Sequence, residues 1–321
     1  MKRGLVVVDR DIPFLDGVLE QWFDVLRLPG RAIGLAEVRD AVALLVRTRT
    51  RCDAALLAGS SVRFIGTATI GTDHIDLPYC ELHGITVASA PGCNAAAVAQ
   101  YVRVALQALS LDRPGATLGV VGVGHVGTLV AEAGRRAGMR VLLNDPPREA
   151  AEGPAGFTPL PALLAAADVV TLHIPLWPEN RDFADAAFFA AMQPGTAFFN
   201  ASRGEVVDES ALLAARPRLG RIVLDVWKNE PEINRALLAA ADIATPHIAG
   251  YSIQGKINGT QAVVRALGAF FDIAPLRDFT VTGVTLPSES YDIMADDKAL
   301  RSDPSSFESL RSHYSYRNDQ L

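Results

Sequence analysis

Residues 118–127 read Leu-Gly-Val-Val-Gly-Val-Gly-His-Val-Gly. An apolar run of strand character leads straight into Gly122-x-Gly124-x-x-Gly127, and a helical pattern follows. In that setting the first glycine permits a tight turn, the second lets backbone N–H groups approach a pyrophosphate, and the third lets helix and strand pack closely. The helix N-terminus adds free donors and a positive dipole end. Asp145 stands 18 residues beyond Gly127, closing the next apolar run, VLLND. A carboxylate there accepts from both ribose hydroxyls and repels a 2′-phosphate, so the pattern predicts NAD rather than NADP. His125 and Val126 offer backbone contacts within the same loop, with the imidazole directed outward. Taken alone, the glycines also fit an ordinary Gly-rich turn; the strand–helix setting and Asp145 favour the dinucleotide.

Outward from this loop the chain keeps a strand–helix rhythm. Strands are predicted at 5–8, 43–46, 64–65 and 86–88, and a second series at 118–121, 141–144, 169–173, 197–200, 222–226 and 243–245. Helical patterns separate most of them, which means parallel βαβ units. A long helix is predicted over about 95–110, capped by Asn94, and another over about 252–271 that returns the chain to its first part. The fold class is therefore α/β with two doubly wound parallel-sheet domains. Residues 1–94 and 256–275 form one, and 95–255 form a Rossmann-type domain inserted in it. Residues 276–321 are polar and irregular, with helical pattern only around 305–316.

The 321 residues are 49% hydrophobic and 21% charged with a net charge of -6. That length suits two cores, and the acidic balance opposes general nucleic-acid binding. Three cysteines without a CxxC pair make neither a disulfide framework nor a metal site, which predicts a reduced, cytoplasmic protein with no metal. The N-terminal apolar run is too short for a signal peptide, and no stretch is long enough to span a membrane.

Three further segments carry chemistry, each just past a predicted strand, where ligands bind in open α/β sheets. They are Asn200-Ala-Ser-Arg203-Gly204, Asp225-Val-Trp-Lys-Asn-Glu230-Pro231 and Thr245-Pro-His247-Ile-Ala-Gly250-Tyr251. Each residue alone has a plain explanation: a solvated Arg, a loop carboxylate, a structural His. Together they fit oxidation of a 2-hydroxy acid. His247 can take the hydroxyl proton near neutral pH, Glu230 can orient the ring and stabilise imidazolium, and Arg203 can hold the substrate carboxylate in a fork.

In this order the segments resemble the D-2-hydroxyacid dehydrogenases, whose catalytic Arg, Glu and His match Arg203, Glu230 and His247. Further stretches narrow the resemblance to a branch acting on a phosphorylated sugar acid: LPGRAI (28–33), LLVRT (44–48), FIGTATIGTDHID (64–76), APGCNAAAVAQYV (90–102), DPP (145–147), DVWKNEPEIN (225–234) and HIAGYSIQGKINGT (247–260). The resemblance covers about 1–275. It implies that Asp145, Asp225, Gly250 and the backbone at His125 and Val126 contact NAD, and that Thr48, Thr69 and Tyr251 contact substrate. Arg47 is a candidate for the substrate phosphate by charge and position. Thr48 and Thr69 also fit strand-end hydroxyls that satisfy local backbone. The chain departs from the branch at Ile174, where His-Thr-Pro-Leu becomes His173-Ile174-Pro175-Leu176. It departs again after 276, where a dimerisation segment is shortened; a homodimer and a monomer both stay open. Alternatives are a dehydrogenase for another D-2-hydroxy acid, such as 3-phosphoglycerate, glycerate or glyoxylate in reverse, and an NAD(H)-sensing binding protein.

Overall fold

A computed structural model describes residues 4–320 and divides the chain into two compact units, one of residues up to 94 with 252–287, the other of 95–251 with 288–320. Each is built on one all-parallel sheet.

In the first unit the described strands are β1 (Leu5–Asp9), β2 (Asp24–Leu28), β3 (Ala41–Val46), β4 (Phe64–Thr67) and β5 (Thr86–Ala88), in the order β2-β1-β3-β4-β5. The central strands β1, β3 and β4 are almost continuously apolar and buried, as expected of strands covered on both faces. The strand β2 escapes sequence reasoning. Its residues Asp-Val-Leu-Arg-Leu carry two charges and are only half-buried, because it pairs with β1 alone at the sheet edge. Helix Ile253–Phe270 places Val263, Val264 and Leu267 in one core with Val6, Val8, Leu45 and Phe64. Ser252 caps it, its hydroxyl accepting from the Gly255 amide at 2.9 Å.

The second unit holds β6 (Thr117–Val121), β7 (Arg140–Asn144), β8 (Val169–Leu172), β9 (Ala197–Asn200), β10 (Ile222–Leu224) and β11 (Ile243–Ala244), ordered β11-β10-β9-β8-β6-β7. The order reverses at β6, the first strand of the unit, and that switch point lies at the glycine loop. Alternate residues serve opposite faces. Val170, Leu172 and Phe198 join one core, whereas Leu118, Val120, Val169 and Phe199 join the other with Tyr101, Val102 and Leu106 of helix Ala95–Ala108. Asn94 does not cap that helix as predicted: its side-chain oxygen is buried with no hydrogen-bond partner.

The C-terminal stretch is more ordered than its polar sequence suggests. Residues 288–320 pack with the second unit through helices Ile293–Ser302 and Phe307–Ser312. Ile293, Leu300 and Phe307 are at most 1% exposed and belong to its two cores. Asp297 accepts from the Ala244 amide at 2.8 Å, which satisfies the open edge of β11, and also pairs with Arg301. Arg301 in turn donates to the Leu238 and Ala241 carbonyls at 2.7 and 2.8 Å. Sheet edges left unpaired invite association; here the chain's own helix covers one.

Candidate active site

The loop after β6 has the geometry a dinucleotide needs. Gly122 has φ +85°, and a Cβ on it would stand 2.6 Å from the His173 carbonyl oxygen. A Cβ on Gly127 would meet the Gly122 oxygen at 2.0 Å, so helix His125–Arg136 touches the loop backbone to backbone. Gly124 is different: a Cβ there would meet nothing within 4 Å. Gly124 is also the helix N-cap and supplies no side-chain cap. The first-turn amides thus face open space at a positive helix end, which fits a pyrophosphate. The His125 side chain is exposed and Val126 half-buried. Ile174, which replaces a threonine of the resembling branch, lies against Gly122 at 3.0 Å from the notional Cβ. The His173 ring has its Nδ1 buried without a hydrogen-bond partner. Burial drives its pKa down to about 3, and its Nε2 lies 3.0 Å from the Thr171 hydroxyl.

Asp145 sits beside the glycine loop but is not idle. One carboxylate oxygen accepts from Val123 N at 2.7 Å, and the other caps helix Pro146–Glu152 through Arg148 N at 3.0 Å. Arg148, which sequence reasoning passed over, donates to the Val123 carbonyl at 2.6 Å and forms a forked pair with Glu152 at 2.7 and 2.8 Å. The carboxylates of Asp145 and Glu152 outnumber this one guanidinium, so the local field still opposes an added phosphate.

The three catalytic candidates follow β9, β10 and β11. Past β9, Asn200 shapes the turn: its Oδ1 accepts from the Ser202 amide and hydroxyl at 3.0 and 2.8 Å, and its Nδ2 donates to the Arg203 carbonyl at 2.9 Å. Arg203 Nη1 reaches the Ser202 carbonyl at 2.8 Å. Next to it, Gly204 brings the loop against the one that carries Glu230. A Cβ on Gly204 would lie 2.0 Å from the Trp227 carbonyl carbon. Gly204→Ala is therefore expected to push the Arg203 and Glu230 loops apart. Its cost should be about 1–3 kcal/mol in chemical denaturation, accompanied by loss of turnover.

Past β10, Asp225 is 1% exposed. Its carboxylate accepts from the Thr245 hydroxyl at 2.7 Å and from the Ile248 and Ala249 amides at 2.8 and 2.9 Å. The contact with NAD that the resemblance implies thus falls on a group whose two oxygens already hold the next loop. That loop carries His247, in the left-handed region at φ 57°, with its amide donating to the Asp225 carbonyl at 2.7 Å. Gly250 and Tyr251 follow, both half-buried.

Glu230 and His247 meet at 2.8 Å, Oε2 to Nδ1. An ionised carboxylate only accepts, so Nδ1 carries a proton, and in the neutral ring the lone pair is then on Nε2. The other Glu230 oxygen accepts from Trp227 N at 3.0 Å. Burial pushes the Glu230 carboxyl up, but His247, Arg311 and the Trp227 amide outweigh it and hold the group below the usual carboxylate range. A depressed pKa contributes stability that is present above the unfolded value of about 4.3 and is lost as pH falls through the folded value. The melting temperature of Glu230→Gln is accordingly expected to lie below that of the wild type at pH 7. The two should converge below about pH 4 in thermal scans across pH.

In the first unit, Arg47 Nη1 donates to the Asp11 carbonyl at 3.1 Å, just past β3. Thr48 is exposed at the same strand end. Thr69 shares a 2.7 Å hydrogen bond with the Thr67 hydroxyl and donates to Gly71 O at 3.3 Å, so its local backbone role is realised. Sequence reasoning missed Arg49, whose Nη1 lies 3.7 Å from Asp11 Oδ2, and Arg311 of the C-terminal helix, 3.7 Å from Glu230 Oε2. Nothing in the pattern around either marked it out from surface arginines. Among the described residues no cluster of three or more His, Cys, Asp or Glu side chains could hold a metal. No described helix is long and apolar enough to cross a membrane.

Comparison with known proteins gives the family. Residues 94–249 match the D-isomer specific 2-hydroxyacid dehydrogenase NAD-binding domain. The erythronate-4-phosphate dehydrogenase of Bacteroides fragilis is 43% identical over 339 residues, covering 98% of this chain and 97% of that protein. That of Chromohalobacter salexigens is 49% identical over 271 residues, covering 81% and 71%. A D-lactate dehydrogenase from Aquifex aeolicus, solved with NAD and lactic acid, superposes with a TM-score of 0.71 at 25% identity, over 88% of this chain and 100% of that one. This NAD-dependent dehydrogenase therefore belongs to the D-isomer specific 2-hydroxyacid dehydrogenase family, in its erythronate-4-phosphate dehydrogenase branch.

Proposed function

We propose that the chain oxidises 4-phospho-D-erythronate at C2 to 2-oxo-3-hydroxy-4-phosphobutanoate, a step of pyridoxal 5′-phosphate biosynthesis. The observation that carries this is the 2.8 Å His247–Glu230 pair in a chain 43% identical to a protein named for that substrate. Bound NAD supplies the hydride acceptor for C2. His247 Nε2 takes the C2 hydroxyl proton as the C2–H bond breaks with its electron pair. Glu230 stabilises the resulting imidazolium through Nδ1 and fixes the ring against rotation. Arg203 forks onto the substrate carboxylate and draws charge from the forming C2 carbonyl.

For the cofactor, we assign the pyrophosphate to the backbone at Gly122, Gly124, His125, Val126 and Gly127, and the adenosine ribose to Asp145. Asp225 and Gly250 serve the nicotinamide end, Asp225 mainly by shaping the 247–249 loop. Substrate contacts are assigned to Arg47, Thr48, Thr69 and Tyr251, with Arg47 taking the phosphate. A cytoplasmic location fits three free cysteines, two of them buried. Because the dimerisation segment is shortened, a homodimer competes with a monomer, and sedimentation of the purified chain decides between them.

The test is oxidation of 4-phospho-D-erythronate with NAD and a small 2-oxo acid that reoxidises retained NADH, run beside glycerate and 3-phosphoglycerate. Preferential turnover of the phosphoerythronate supports the assignment. Faster turnover of 3-phosphoglycerate or glycerate would move the chain to another substrate, and NADH binding without turnover of any acid would overturn the enzymatic mechanism.

A further inference from the structure

The C-terminal stretch of the second unit reaches the proton-transfer pair. Arg311, on helix Phe307–Ser312, has its Nη1 3.7 Å from Glu230 Oε2, with side-chain exposures of 14% and 17%. The same guanidinium lies beside the Tyr251 side chain, and its Nε is buried with no hydrogen-bond partner. Tyr251 is further enclosed by Tyr314 and Tyr316, whose rings stand edge-on at 5.9 and 6.2 Å. Six residues past Arg311, the buried Arg317 donates to the Ile248 carbonyl at 2.9 Å, to Tyr251 O at 3.2 Å and to the Ala249 carbonyl. It also donates to Ala97 O at 3.1 Å and to Gln100 Oε1 at 2.9 Å, and lies 4.1 Å from the Tyr291 ring centroid. The loop immediately after His247 is thus tied down carbonyl by carbonyl from the end of the chain.

We propose that residues 288–320 are an internal brace of the catalytic machinery, with Arg311 a positioning residue that acts through Glu230 on His247. This inference rests on the His247–Glu230 mechanism above and goes beyond it by assigning work to a segment outside the nucleotide-binding and substrate elements. Its physical basis is a charge balance. Glu230 is a half-enclosed carboxylate whose contacts include one imidazole and one guanidinium. Losing Arg311 removes one of the groups that offset burial, which makes the ionised form costlier and weakens the charge-assisted bond that Glu230 accepts from Nδ1. With that bond weakened, the ring is held less firmly in its tautomer and orientation.

The experiment is a double-mutant cycle of Arg311→Met and Glu230→Gln in the full chain, read as kcat and KM for 4-phospho-D-erythronate, with NADH binding measured separately and Arg311→Lys alongside. Arg311→Met is expected to lower kcat by about 10- to 100-fold, the order of effect that an opposite charge within about 4–6 Å has on a carboxylate, with NADH binding retained. Lysine should recover part of the loss. In the Glu230→Gln background, removing Arg311 should add little, because its route of action is already gone. Wild-type kcat in Arg311→Met would overturn the proposal. So would losses that simply multiply in the double variant, or a rise in KM alone, since both mean that Arg311 acts independently of Glu230. Full activity of Glu230→Gln itself would instead sink the underlying mechanism, which keeps the two failures distinct. Retained NADH binding and an unchanged melting temperature in Arg311→Lys separate loss of positioning from loss of fold.

Discussion

His247→Asn is expected to lower kcat/KM for 4-phospho-D-erythronate by about 10²- to 10⁴-fold, the usual contribution of a positioned general base, while NADH binding is kept. Asparagine is chosen for a backbone reason. His247 has φ 57°, a region that asparagine visits readily and alanine does not. The substitution therefore removes the imidazole with little added strain, and its amide can still face Glu230. Most of the loss should fall on kcat, because proton removal belongs to the transition state and not to ground-state binding. Steady-state rates with NADH titration as the binding control decide it. Activity within a few-fold of wild type would remove His247 from the mechanism and leave Glu230 as an ordinary buried carboxylate.

The fold and the pair were legible from sequence to different depths. The second unit's strands could be read because parallel strands covered on both faces must be apolar throughout, as Ala197–Asn200 and Val169–Leu172 are. Strand Asp24–Leu28 could not, because an edge strand has no such requirement and carries Asp24 and Arg27. Spacing placed Arg203, Glu230 and His247 each beyond a strand end. It did not place the supports that make them a site: Gly204 lying on Trp227, Asp225 held by its three donors, and Arg311 beside Glu230. These are contacts between loops far apart in the chain, and no periodicity encodes them. Asp145 shows the same limit from the other side. A strand-end carboxylate was foreseen, but its local work as a helix cap and as acceptor for Val123 was not.

Arg203→Met is expected to lower kcat/KM by about 10²- to 10³-fold, the range for removing one donor that meets developing charge, and to raise KM as well as depress kcat. The double effect follows from two separate tasks. Holding the substrate carboxylate is ground-state binding and appears in KM; drawing charge from the forming carbonyl strengthens only toward the transition state and appears in kcat. The backbone here has ordinary extended torsions, φ −142° and ψ 144°, so methionine introduces no strain of its own. The neighbouring Gly204–Trp227 contact holds the loop whatever stands at 203. Lysine should recover KM better than kcat, since a point charge attracts a carboxylate but cannot present two parallel donors to it. Added guanidinium ion at concentrations well below denaturing should restore part of the methionine variant's rate if the lost function is the fork itself. A variant with normal KM and normal kcat would show that the substrate carboxylate is held elsewhere, and Arg47 would then be the next guanidinium to replace.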